Sequence, residues 1–283
     1  MSKDTPIQWC DSTVNPSMGC DGCELWSPQR KSCYAGTLHV RHGKSNPGFA
    51  PTFEEVTEFP GRIAEAARWS DLCGKKRPKK PWLRRLPRII FVSDMGDSLS
   101  KGITFKYLFD EIITNVTSEL GRRHQWLWLT KRPDRMAEFS KWLAADGHAW
   151  PTNLWAGTSV TGQVTTSRVS PLLDVGDDKT FHFLSVEPQI EPVDLGDQLQ
   201  SLDWVIQGGE SGSGARPFHL EWARDLASAC KALGVPYFLK QVGRRPYSAG
   251  KQIKLLNSHG GDWSEWPRKL RVRELPQIVP VER

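Results

Sequence analysis

The sequence predicts an α/β protein: a partial (β/α) barrel with a long cysteine-bearing N-terminal loop. Short apolar runs and amphipathic runs alternate from Arg88 to Lys240. About six such strand–helix units follow a single N-terminal strand. Alternation of this kind implies parallel β–α units with helices covering a sheet. At 283 residues the chain suits one domain over 1–283.

The elements follow in order. Residues 1–50 form the cysteine loop region, with a short strand followed by an irregular segment rich in Gly, Pro, Ser and Asn. Residues 53–71 read as a helix, with Glu54, Glu55 and Glu58 early and Ile63, Ala64, Ala67 and Trp69 on an apolar side. Residues 75–87 are expected to form an exposed basic loop, because the prolines within Lys75 to Arg85 forbid a helix through it. Strands are expected at Arg88–Ser93, Gln125–Thr130, Leu154–Val160, Thr180–Val186, Trp204–Gln207 and Val235–Lys240. Helices are expected at Phe105–Leu120, Arg135–Leu143, from near Thr165, and at His219–Leu233, where Cys230 reads as a small core residue. Residues 244–283 are a C-terminal extension.

Composition narrows the function classes. No apolar run reaches the roughly eighteen residues that a membrane span needs, so the expectation is a cytoplasmic protein with no membrane partner. A net charge of +6 and a pI near 9.0 are compatible with a polyanionic partner. The thirteen tryptophans suit core and pocket walls, with some available for stacking.

Three of the six cysteines, Cys20, Cys23 and Cys33, fall in one short stretch with the spacing C-x2-C-x9-C. Three thiolates leave one coordination position of a metal centre free, which is the arrangement of a reactive site rather than a closed structural one. A zinc knuckle completed by His39 or His42, or by Cys10, is the alternative reading. Cytosolic clusters of cysteine favour metal binding over disulfides.

In β/α barrels the active site lies at the carboxyl ends of the strands. Those ends carry Ser93, Asp94 and Asp97; Thr130, Lys131 and Arg132; Ser159 and Thr161; Ser185 and Glu187; Gly208, Gly209 and Glu210; and Lys240 and Gln241. Five strands ending in charged or hydroxyl groups predict a polar pocket. Gly208 and Gly209 would let a ligand approach the backbone, and Glu210 would offer it a carboxylate. A Glu187–Lys131 bridge is the structural alternative for those two residues.

The motifs from Ile7 to Pro16, Gly19-Cys20, Cys33-Tyr34-Ala35, Leu129 to Pro133, Leu184 to Pro188, Gly208 to Gly212, Ala215-Arg216-Pro217 and Phe238 to Gln241 resemble the phage-associated three-cysteine-motif proteins. That family is radical S-adenosylmethionine (SAM)-like. The resemblance runs in order through nearly the whole chain. It implies a barrel of radical SAM type and a [4Fe-4S] cluster on Cys20, Cys23 and Cys33. The open iron would bind SAM, whose cleavage yields a 5′-deoxyadenosyl radical. Spore photoproduct lyase, a DNA-repair enzyme, is a relative at superfamily level. The usual radical SAM spacing is C-x3-C-x2-C with an aromatic before the last cysteine, whereas here Tyr34 follows it.

The resulting expectation is an enzyme acting on a nucleic-acid base or nucleotide, in DNA repair or modification. Lys131 and Glu187 are its expected catalytic residues; Tyr34, Ser93, Asp94, Ser159, Gly208, Gly209 and Glu210 are the expected SAM contacts. The loop Lys75 to Arg85 and the pair Arg244-Arg245 would face phosphates, and tryptophans would stack on bases. The resemblance also allows for a second phage-encoded protein as a partner. The alternative class is a zinc-binding, non-catalytic nucleic-acid or protein adaptor.

Overall fold

The computed structural model describes residues 1–43 and 46–277. The last part of the expected C-terminal extension, 278–283, lies outside the described residues. The protein is a mixed α/β protein whose principal sheet has seven strands: β1 (Ser12–Val14), β2 (Ile89–Val92), β3 (Gln125–Thr130), β4 (Leu154–Ser159), β5 (His182–Val186), β6 (Trp204–Gly208) and β7 (Tyr237–Gln241). Their order in the sheet is their order in the chain, from β1 at one edge to β7 at the other, as in a half-barrel. The pairs β1–β2, β2–β3, β5–β6 and β6–β7 are parallel. Near-continuous burial along these strands is what a sheet covered on both faces demands. No helix among the described residues is long and apolar enough to cross a membrane.

The chain divides into two compact units. The first, Met1–Ala156 with Asp174–Thr180, carries β1 to β3 and the cysteines Cys20, Cys23 and Cys33. Its core stacks Trp128 on Trp150, with ring centroids 5.9 Å apart, and sets Phe139 edge-on to Trp128. The helix α5 (Pro133–Ala145) begins at a proline in its first turn, where a missing N–H costs nothing. The second unit, Gly157–Leu173 and the described part of Phe181–Ile278, carries β5 to β7 and α7 (Leu220–Leu233). That helix buries Leu220, Ala223, Leu226 and Cys230 on one face and ends on Gly234 in the left-handed region. Beyond β7 a small ribbon pairs Pro246–Ser248 with Lys251–Gln252.

Four expectations from the sequence are corrected. The N-terminal segment is not irregular throughout. Trp26–Ser27 and Arg30–Lys31 form a hairpin, and α1 (Tyr34–His42) follows. α1 was hidden because its side chains give little amphipathic signal and Gly36 sits mid-pattern. A Cβ there would stand 2.5 Å from the Trp26 ring, so only glycine lets the helix seat. The helix expected over 53–71 is confined to α2 (Arg62–Ala67), since Thr57–Glu58 pairs with Ser17–Met18 and Gly61 turns the chain at φ +87°. The Glu111 carboxylate then takes the N–H groups of Gly61 and Ile63 at 2.7 and 2.8 Å, capping α2 from a distant segment.

The helix expected over Phe105–Leu120 is broken into α3 (Phe105–Leu108), a π turn (Phe109–Ile113) and α4 (Thr114–Val116). The Asn115 side chain donates to the Asp110 and Glu111 carbonyls there, competing for the helix's own acceptors. Finally, the basic loop is not simply exposed. Arg77 is 8% exposed and donates to both oxygens of Asp11 and to the carbonyls of Leu72, Leu83, Leu86 and Pro87. Lys80 donates to the carbonyls of Thr5 and Cys10. The cations of this loop left exposed are Lys75, Lys76, Lys79, Arg84 and Arg85.

Candidate functional site

In the first unit the carboxyl ends of β2 and β3 meet the cysteine loop. Gly19 and Gly96 form a parallel backbone bridge, and a Cβ on Gly96 would stand 2.6 Å from the Gly19 carbonyl oxygen. This close approach requires glycine before Asp97, whereas Gly19, at φ +87°, is required because a Cβ there would stand 2.3 Å from the Glu55 carbonyl oxygen. The Cys20 N–H donates to Phe53 O at 2.7 Å, and Cys23 exchanges backbone bonds with Trp26 at 3.0 Å. The Leu25 N–H points at Cys23 Sγ, 3.4 Å away. The loop is therefore held by its backbone, with its thiols turned toward a common neighbourhood.

Arg132, directly after β3, clamps that loop. Its guanidinium pairs with Asp21, donates to Gly22 O at 2.9 Å and lies 3.7 Å from Cys20 Sγ. It also pairs with Asp97 at 2.8 Å. Asp97 is buried and accepts further from Thr130 Oγ1, Lys131 N and Leu99 N at 2.9 to 3.1 Å. Burial pushes its carboxyl up in pKa, and these donors act against that push.

Lys131 serves the same neighbourhood. Burial alone would lower its pKa, but Cys23, Cys33, Glu24 and Asp97 outweigh it, and the net shift is upward. Burial raises the thiols of Cys20 and Cys23, against the pull of Arg132 on the first and of Lys131 on the second. Two cations thus flank the cysteine loop, on which burial raises the thiols of Cys20 and Cys23. The donor set fits a thiolate-held metal group: three soft ligands, an N–H aimed at one sulfur, and positive charge to offset the negative charge of ligation. Among the described residues no three His, Cys, Asp or Glu side chains stand close enough together to hold a metal ion as they are, so ligation requires the thiols to converge further. Cys10 is buried elsewhere, beside Lys80.

The other expected contacts of this unit are placed as follows. Ser93 is buried with φ +74°, a strained value for a non-glycine residue, and its hydroxyl shares a hydrogen bond of 2.8 Å with Ser98. Ser98 in turn accepts from the Trp128 indole at 2.8 Å. Asp94 accepts from Asn15 Nδ2 at 2.6 Å, and burial raises its pKa. Tyr34 is 59% exposed at the start of α1.

The second unit carries its own polar group at the ends of β5, β6 and β7. Glu187 pairs with Lys240, not with Lys131 as the alternative reading had it, and both are largely buried. Gln241 Nε2 donates to Gly209 O at 2.8 Å. The two glycines are used by the protein itself. A Cβ on Gly208 would stand 3.3 Å from the Glu187 carboxylate, and one on Gly209 would stand 2.8 Å from Phe218. Glu210 is bound by Arg216 through its backbone N–H at 2.8 Å, its Nε at 2.9 Å and its terminal guanidinium nitrogen. Ser159 is buried at the end of β4, its carbonyl accepting from Arg168 at 3.0 Å.

Arg132 pairs with Asp21 and Asp97, and Lys240 with Glu187. Asp97, Arg132 and Lys240 belong to the strand-end set read from the sequence, whereas Asp21 does not. The signal for the Arg132–Asp97 pair is Thr-Lys-Arg-Pro directly after a strand, with an acidic residue 35 positions earlier, after the preceding strand.

The model of the family described as protein of unknown function (DUF5131) matches residues 4–267. The chain belongs to this family. Comparisons with curated proteins and with solved structures each find no match.

Proposed function

We propose that this DUF5131 member is an iron–sulfur, radical SAM-like enzyme acting on a nucleic-acid base or nucleotide. One observation carries the reading: Cys20, Cys23 and Cys33, from a single backbone-held loop, share a neighbourhood flanked by Lys131 and Arg132 at the carboxyl ends of parallel strands. Cys20, Cys23 and Cys33 would hold a [4Fe-4S] cluster, which when bound supplies one electron to cleave the sulfonium of SAM. Arg132 fixes the loop, and Lys131 offsets the charge that the thiols acquire as they release their protons. Ser93, Asp94 and Tyr34, in the same unit as the cysteines, are the proposed SAM contacts. Glu187, poised against Lys240, is the proposed proton-handling residue of the second unit.

A second reading, a zinc-stabilised non-catalytic adaptor, has one observation in its favour. His39 is buried against Phe49 and Phe53, and among the described residues neither of its ring nitrogens has a partner. Anaerobic reconstitution with iron and sulfide, followed by EPR of the reduced protein with and without SAM, separates the two. A reduced [4Fe-4S] signal that changes shape on adding SAM is expected. A colourless protein that binds one zinc tightly, with no cluster signal, would transfer the assignment to the adaptor.

A further inference from the structure

Past β7, and within the second unit, an open cleft is lined by Arg244, Gln252, Lys254, Asn257 and Ser258 together with Ile253 and Leu255. Among the described residues no carboxylate is part of this lining, and the nearby Glu265 carboxylate is taken up by backbone N–H groups of the turn. Arg244 and Lys254 are exposed, and among the described residues neither side chain has an ion-pair or hydrogen-bond partner. Between the lining residues Leu255 and Asn257 stands Leu256, which is 97% exposed. A lone exposed leucine is ordinary, but this one is displayed by a built turn. The Glu265 carboxylate receives the N–H groups of Leu256 and Asn257 at 2.5 and 3.0 Å. Asn257 Oδ1 receives those of His259 and Gly261, both at 3.1 Å. The turn is seated on β7's continuation through Val242 N–H to Gly260 O at 3.0 Å, and Gly260, at φ +65°, has no room for a Cβ over Gly243. The turn is thus held by its own hydrogen bonds around an apolar side chain left in water, in the same chain segment as the two exposed cations.

We infer that this cleft binds a nucleic-acid duplex, with Arg244 and Lys254 on phosphates and Leu256 as a wedge between base pairs. Cations without partners meet the charge of a sugar–phosphate backbone, and Asn257, Ser258 and Gln252 add neutral hydrogen-bonding groups of the kind that contact phosphate and sugar. Apolar wedges, leucine among them, are how proteins unstack a base step at the cost of a few kcal/mol of stacking. A membrane surface fits less well, because Ile253 and Leu255 in the lining are partly buried and Leu256 alone is fully displayed, too small an apolar face to bury in lipid. The inference rests on the proposed function only in naming nucleic acid as the partner, and it needs no cluster chemistry.

The test is binding of the full-length protein to a short duplex with a central 2-aminopurine, followed by anisotropy and base fluorescence across a salt series. The wild type should bind with a steep salt dependence and brighten the 2-aminopurine. Arg244→Ala with Lys254→Ala should weaken binding about tenfold or more at low salt and lower the salt slope by about 2, from roughly 0.9 per phosphate contact. Leu256→Ser should keep the slope and lose the brightening. Wild-type behaviour in both variants overturns the site. So does a loss confined to Lys75→Ala/Lys76→Ala/Lys79→Ala, which would leave nucleic acid as the partner but move it to the other basic loop. Sedimentation with phosphatidylserine vesicles through Leu256, without duplex binding, would reassign the surface to membranes. A wild type that binds no duplex at low salt removes this site together with the nucleic-acid half of the proposed function, whereas the EPR outcome stands apart.

Discussion

Two basic stretches, 75–85 and 244–254, look alike in sequence and are used in opposite ways. In the first, Arg77 and Lys80 turn inward and spend their donors on Asp11 and on backbone carbonyls of Thr5, Cys10, Leu72, Leu83, Leu86 and Pro87. In the second, Arg244 and Lys254 stay exposed along a cleft whose lining, among the described residues, holds no carboxylate. A run of positive charge therefore does not identify a binding surface. What separates the two is whether unpaired carbonyls and a buried carboxylate lie within reach, because a loop that closes over the core must satisfy those groups.

Substitutions can break that contrast, and the largest effect belongs to Arg77. Arg77→Ala removes the cation from the buried Asp11 carboxylate, which keeps only the Ile89 N–H as a donor among the described residues, and takes a donor from several carbonyls; it should cost about 3–5 kcal/mol in urea unfolding. A loss under 1 kcal/mol would mean the hub is ornamental.

His124 extends the comparison to a buried base that has no carboxylate partner in hydrogen-bond range. Its Nε2–H donates to Ala67 O at 3.1 Å, and Nδ1 has no partner among the described residues, so the neutral ring leaves one acceptor unpartnered whereas the charged ring would bury an unpaired N–H and a charge. Burial lowers its pKa to about 4. The folded pKa lies below the unfolded value of about 6.5, so the unfolded chain takes up the proton first. Stability is full above about pH 6.5 and falls as pH drops toward 4, by about 3 kcal/mol in all. Urea melts across that range should show this slope in the wild type, and His124→Gln should lose most of it.

Arg132 lies between the extremes, partnered but partly open. Arg132→Ala should cost about 2–3 kcal/mol, because Asp97 keeps its other donors, and should speed reaction of Cys20 with a thiol reagent. Unchanged thiol reactivity would remove the clamp role. The smallest effect sharpens the comparison from the other side. Arg244→Ala with Lys254→Ala should change stability by no more than about 0.5 kcal/mol, since neither side chain is used by the fold.

The same contrast explains what was legible in the sequence. β3 was read with the bounds it has, Gln125–Thr130, because its apolar run is continuous and capped by polar residues. α7 was read to within one residue, since its apolar face keeps a helical period. The parallel sheet followed from the alternation of strands and helices, whereas its strand order is read from the structure. The Arg77–Asp11 hub was not legible, because its partners lie 66 residues apart and nothing local marks an arginine that will turn inward. The same distance effect hid the pairing of Glu187 with Lys240. α1 escaped because its amphipathic pattern is weak and its seat depends on Trp26, in another element. The three cysteines were legible as a group, whereas Arg132, which holds their loop, became visible only once β3 was placed beside it.

The clamp has a thermodynamic consequence. Between Cys20 and Cys33 the chain is already closed by the Trp26–Lys31 hairpin pairing and by the ties of Arg132 to Asp21 and Gly22. Conformational entropy that an unstructured loop would surrender to a bound metal is surrendered here during folding. Metal loading at these thiols should then follow folding rather than trigger it. Bound metal would raise the melting temperature through its affinity for the native state, while the metal-free chain would unfold cooperatively on its own.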